Sequence, residues 1–184
     1  MSEEKKEYKF LELARKRSSC RKYLSKEVTD EQIKIILESA RIAPSACNKQ
    51  PWRFAVVKNS EVKTKLIKEG TLFGINMDWA IGASVIIVVG EKKSFITHKV
   101  APQISKIDYS LIDIGIVGEH IVLQATELGL GTCWIGWIKP NEVRRIVDWE
   151  KDIKPLALIT VGYPEEPLEK EKLRFPIEKT TKFI

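Results

Sequence analysis

Apolar positions along this chain follow two periods. Spacings of three and four residues mark helices, and unbroken β-branched runs mark strands. Phe10, Leu13 and Ala14 share one face of a first helix over about residues 7–16. Ile33, Ile36, Leu37 and Ala40 give the i, i+3, i+4, i+7 stripe of a helix that faces a core. Thr29 stands at its N-cap, Gln32 completes a capping box, and Val28 is placed to staple against Ile33. Pro44 stops this helix, because it lacks an N–H and disfavours α geometry just before it. Phe54–Val57 reads as a strand, followed by a short helix that Ser60 caps and Gly70 ends. The run from Ser84 to Val89 predicts a strand buried on both faces. Pro140 opens a short helix carrying Val143, Ile146 and Val147, and Leu156–Val161 is the last long strand.

Residues from about Asp108 to Leu128 predict a helix that is apolar almost all round. Only Asp113, His120, Gln124 and Glu127 make a thin polar stripe, so the helix belongs in a core or an interface. Gly115 and Gly118 each cost about 1 kcal/mol of helix stability relative to Ala. That cost points to a second helix approaching closely, either within the chain or from a symmetry mate. Residues 71–82 and 91–107 carry no clear period, although Asn76, Met77, Trp79 and His98 lie in them.

Composition narrows the class. The chain has 184 residues, 43% apolar and 30% charged, which suits a single domain over residues 1–184. No apolar run is long enough to span a bilayer, and Met1–Lys6 lacks a signal-peptide core, so no membrane and a cytoplasmic location are expected. Net charge is +6, but the basic residues are interleaved with acids. No nucleic acid is therefore expected as partner; the surplus suits an anionic small molecule. Cys20, Cys47 and Cys133 have no CxxC spacing, and two histidines without a cysteine cluster argue against a metal site.

Three stretches carry chemistry. Arg17-Ser18-Ser19-Cys20-Arg21 sets two guanidinium groups around two hydroxyls, either a phosphate grip or a solvated basic turn. Ala43–Trp52 is longer than a plain connector and holds Pro44, Ser45, Ala46, Asn48, Gln50 and Trp52. It suits a flat ligand with hydrogen-bonding edges, or it is a packed turn anchored by its Trp. Gly129–Gly136 resembles a dinucleotide fingerprint only superficially, because its glycines follow a helix and lead into a strand. Gly129 reads as a helix C′ residue, and Gly136 lets the backbone approach a flat group. Cys133 as a nucleophile has no identifiable histidine partner.

Taken together, Arg17–Arg21, the Pro-Ser-x-x-Asn-x-Gln-Pro-Trp run at 44–52, the Gly-Leu-Gly-x-x-Trp-x-Gly element at 129–136 and Lys172-x-Arg174 resemble the nitroreductase family. These are FMN-dependent NAD(P)H oxidoreductases. The resemblance implies an α+β fold, with a mixed, mainly antiparallel sheet flanked by helices in an intertwined homodimer, and a C-terminal extension over 165–184 that reaches the partner subunit. It implies FMN as cofactor and NADH or NADPH as reductant. The phosphate would be held by Arg17, Ser19, Lys172 and Arg174, Ser18 falls on the same FMN-binding run, and Arg21 would lie toward the pyrimidine edge. Pro44, Ser45, Ala46, Asn48 and Gln50 would come from the other subunit, with Trp134, Ile135 and Gly136 beside the ring. No catalytic side chain is implied. The chemistry would be ping-pong, with a nitroaromatic, quinone or similar electron-poor small molecule as acceptor. A reductive dehalogenase, a flavin-modifying enzyme and a non-catalytic flavin-binding dimer are the alternatives.

Overall fold

The computed structural model describes residues 8–92, 106–167 and 172–184. The expectations for the N-terminal residues and for His98 and its neighbours lie outside the described residues. Four strands form one sheet: β1 (Trp52–Val57), β2 (Val85–Lys92), β3 (Gly131–Ile135) and β4 (Ile153–Gly162). Their order is β1-β2-β4-β3, and all three neighbouring pairs are antiparallel. The parallel part of the expected mixed sheet is a single bridge, Ser19 to Thr132.

Side-chain alternation along β2 explains why its sequence is apolar throughout. Val85, Ile87 and Val89 enter one core with Ile33, Ile36 and Ala40 of α2 (Asp30–Arg41) and with Ile114, Val117 and Ile121 of the long helix Tyr109–Glu127. Ile86 and Val88 enter a second core with Leu66 and Ile67 of α3 (Ser60–Lys68) and with Val143 of the helix Pro140–Ile146. We number those two helices α4 and α5. The molecule is thus a helix–sheet–helix sandwich with a strand buried on both faces at its centre. Among the described residues no helix is long and apolar enough to cross a membrane.

Several local expectations hold in detail. The Thr29–Gln32 capping box is complete, and Gly129 ends α4 at φ +73°, donating to the carbonyl of Thr126. Others change. Asn59, not Ser60, caps α3: its side-chain oxygen accepts from the Val62 N–H at 3.0 Å. Strand β2 runs past Val89 through an irregularity at Val89/Gly90 to Lys92, with Glu91 buried. Part of the unpatterned stretch 71–82 forms a 3₁₀ turn, Asp78–Gly82, that buries Met77 and Ala80 beside it. The first helix, α1 (Lys9–Lys16), buries no residue; Phe10 is 65% exposed. Its apolar face lines an open groove of about 470 Å³ against Ile116 and Leu123 of α4.

Gly118 corrects the expected helix–helix approach. A Cβ there would lie 2.1 Å from the ring of Trp134, so this glycine makes room for an indole from β3 rather than for a second helix. Gly115, by contrast, faces open space.

Candidate functional site

The basic run sits at the edge of the sheet because two paired glycines make room for it. Gly131 of β3 and Gly162 of β4 are cross-strand partners. A Cβ on the first would meet the Cys20 side chain at 2.7 Å, and one on the second would meet the Tyr23 ring at 2.7 Å. Backbone bonds stitch the run down on both sides, from Cys20 N–H to the Thr132 carbonyl at 2.8 Å and from Leu24 N–H to the Tyr163 carbonyl at 2.9 Å. The Tyr23 hydroxyl donates to the Cys20 carbonyl at 2.8 Å and lies 2.7 Å from Thr160 Oγ1. Burial pushes its phenol pKa up, so it is a neutral anchor. Ser18, Ser19, Cys20, Arg21 and Lys22 then line a cleft of about 170 Å³ with Glu166 and Pro167.

Positive charge also gathers around Arg17, at the start of the run. Arg17 follows the last turn of α1, and Lys172 donates to the carbonyls of Ala14 (2.8 Å) and Arg15. Lone carbonyls at a helix C-terminus attract a cation, which explains why the tail docks there. Burial, then Arg17 and Arg174 nearby, hold the Lys172 ammonium below the usual lysine range. Among the described residues none of Arg17, Arg21, Lys172 and Arg174 pairs with a carboxylate. Glu166, which also lines the cleft, pairs with Lys22 at 2.8 Å, and cations that have no carboxylate partner are suited to an anion.

Cys133 lies behind the run. Burial pushes its thiol up, against the pull of Arg21, a Ser19 hydroxyl that donates to it, and Arg17. It stays a thiol at neutral pH, which removes it as a nucleophile.

The Pro44 loop is built separately. Cys47, Asn48 and Gln50 all have positive φ, an uncommon backbone for side-chain-bearing residues. Its shape is held by the Ser45 hydroxyl oxygen, which accepts from the Gln50 N–H at 2.9 Å. The Gln50 side-chain amide donates to the Asn48 carbonyl and side-chain oxygen. A buried Asp113 of α4 accepts from the Ala46 N–H at 2.9 Å and ties the loop down. Trp52 proves to be the loop's anchor: it is buried in the first core and is no ligand platform. Among the described residues no hydrogen bond or ion pair joins this loop to the Arg17–Arg21 run. The structure therefore gathers Arg17, Ser18, Ser19, Arg21, Lys172 and Arg174 at one place. It ties Pro44, Ser45, Ala46, Asn48 and Gln50 instead into a loop held by its own hydrogen bonds and by Asp113.

Trp134 is 37% exposed on β3 with its ring against Gly118, and Gly136 has open space where a side chain would be. Sequence reasoning missed Tyr23, Asp113 and Gly162, which hold these parts in place. Asp113 had a signal, as a carboxylate on a nearly all-apolar helix; Tyr23 had only its place beside the basic run.

An antiparallel sheet between two helical layers, with the Ser18–Lys22 cleft at its edge, defines an α+β protein. The chain belongs to the nitroreductase family, whose pattern matches residues 14–70 and 72–163. A curated relative from Archaeoglobus fulgidus, provisionally named as an NADH dehydrogenase/NAD(P)H nitroreductase, is 32% identical over 157 residues, covering 82% of each chain. A Bacillus subtilis protein named FMN reductase [NAD(P)H] is 27% identical and covers 87% of this chain and 67% of its own. A nitroreductase family protein of Clostridium difficile 630 superposes with a TM-score of 0.79 at 29% identity, over 95% of this chain and 97% of the other.

Proposed function

We propose that this chain is an FMN-dependent oxidoreductase that draws on NADH or NADPH and reduces nitroaromatic, quinone or similar electron-poor molecules. The observation that carries this reading is that Lys172 and Arg174 lie near Arg17, which opens the run of Ser18, Ser19 and Arg21, and that among the described residues none of these cations forms an ion pair with a carboxylate. That donor set fits a doubly charged phosphate. The relative named FMN reductase supports FMN as the group that bears it.

When bound, FMN supplies a two-electron relay between reductant and acceptor. The chain's residues bind and orient it. Arg17, Ser19, Lys172 and Arg174 hold the phosphate, and Ser18 adds a hydroxyl without charge. Arg21 sits toward the pyrimidine edge, where a positive charge favours the reduced state. The backbone of Trp134, Ile135 and Gly136 runs beside the ring. Pro44, Ser45, Ala46, Asn48 and Gln50 come from a second copy of the chain, which fits their separation from the cationic cleft within one subunit. No side chain is assigned as acid or base; catalysis rests on positioning and electrostatics.

The test is a visible spectrum of the purified protein with FMN, before and after anaerobic NADH or NADPH. Bound flavin absorbance that bleaches with reductant and returns with a nitroaromatic or quinone is the expected result. Flavin that binds but resists reduction would make the protein a non-catalytic flavin-binding dimer. Reoxidation only by a halogenated phenol, with halide release, would make it a reductive dehalogenase. No binding would end the assignment.

A further inference from the structure

Among the described residues, Arg21 is the one cation of the cleft that lies over an aromatic ring. Its guanidinium carbon is 5.8 Å from the centroid of Trp79, within the roughly 6 Å range of a cation–π contact. Among the described residues it has no carboxylate partner. The two residues are 58 positions apart and come from different parts of the fold (79 − 21). Trp79 stands on the Asp78–Gly82 turn, which is fixed on several sides. Lys68 pairs with Asp78 at 2.8 Å, the Asp78 N–H donates to Asn76 Oδ1 at 2.9 Å, and Ala80 is fully buried. The indole itself packs against the second core, so it is a firm platform. Arg21, in contrast, is an exposed side chain with many rotamers, and an unguided guanidinium would spend much of its time in solvent.

We propose that Trp79 is a positioning residue that holds the Arg21 guanidinium at the cofactor's pyrimidine edge, so that this chain favours reduced over oxidised FMN. The inference rests on the FMN reading above and adds to it a residue outside the four matched stretches. Trp79 touches no reacting atom; it acts through Arg21. A cation–π contact at a partly exposed site contributes about 0.5–1 kcal/mol, so its loss changes an equilibrium by about two- to fivefold. That effect should fall on the reduced cofactor, because the positive charge of Arg21 interacts most strongly with the added electron density.

The experiment measures binding of oxidised FMN by fluorescence quenching and the midpoint potential of the bound cofactor by equilibration with a reference dye. Together they give the ratio of affinities for reduced and oxidised FMN. Trp79→Leu is expected to lower that ratio about two- to fivefold. Trp79→Phe keeps a ring and most of the core packing, and it should show a smaller change in the same direction. In an Arg21→Met background, Trp79→Leu should have no further effect on the ratio, because a double-mutant cycle isolates the pair. An unchanged ratio in both Trp79 variants would overturn the proposal while leaving FMN binding intact. So would an equal loss of affinity for both redox states, or a shift that persists without Arg21, since either marks a merely structural role. Failure of the unaltered protein to bind FMN is seen separately, in the first titration, and would remove the proposal along with the reading beneath it.

Discussion

Lys172 shows how much one residue depends on what is placed around it. Its ammonium donates to two helix carbonyls, yet burial, and then Arg17 and Arg174 nearby, bring its pKa below the ordinary lysine range. The sign of the resulting pH dependence follows. In the free protein Lys172 loses its proton at a lower pH than an exposed lysine. A bound phosphate favours the charged form and raises that pKa again. FMN binding must therefore take up protons in alkaline solution, and affinity should fall as pH rises through the lowered pKa and level off below it. Calorimetry in two buffers of different ionisation enthalpy measures the uptake. Lys172→Met should weaken FMN at neutral pH and flatten the alkaline decline. Affinity that stays constant up to the ordinary lysine range would place Lys172 outside the phosphate site. Arg17→Ala removes a charge-assisted contact worth about 1.5–3 kcal/mol and should weaken FMN about ten- to a hundredfold.

At the level of elements, Trp134 and Gly118 form one device: a strand lays its indole across a helix where a side chain is missing. Gly118→Leu should cost about 1–3 kcal/mol or more by overpacking. Urea unfolding would measure it, and Trp134 emission should shift to the red as the ring is pushed into solvent. Trp134→Ala should recover much of that loss; no recovery would mean that the leucine strains something else. The same pair shows what the sequence could and could not tell. Periodicity gave α2, α4 and β2, because their burial repeats at 3.6 or falls in one unbroken run. A missing Cβ in α4 was legible as a close approach, but which element approached was not, since that depends on how β3 is set beside α4. Trp52 was ambiguous for the same reason: a lone indole in a loop reads equally as platform or anchor until its neighbours are known. The Arg17–Arg21 run stood out because Arg17, Arg21 and Lys22 lie close together in the chain with no acid between them. The contributions of Tyr23, Asp113 and Trp79 were not legible, because each acts on a partner at least three residues and up to 137 away (160 − 23).

The described residues leave much apolar surface uncovered. Leu111 and Ile112 project from α4, Phe10 from α1, and the C-terminal stretch exposes Leu173 at 92% and Phe183 at 87% along with Phe175 and Ile177. Single exposed apolar side chains are common on monomers, but a tail that carries several and packs almost none of them belongs against another surface. The Pro44 loop and the cationic cleft are also unconnected within one subunit. We propose that the chain is a homodimer in which the extension over 165–184 crosses to the partner, which would account for both observations. Sedimentation velocity should then give a particle of about 42 kDa (2 × 21.0) at micromolar concentration. Removal of residues 175–184 keeps Lys172 and Arg174 but deletes two phenylalanines per chain, each worth about 1.5–3 kcal/mol when fully buried. The dimer should weaken at least about a hundredfold, and FMN affinity should become dependent on protein concentration, because the loop and the cleft would meet only in the dimer. A truncated chain that stays dimeric would free the tail from that role. A monomer that binds FMN as tightly as the full-length protein would show that one subunit builds the site alone.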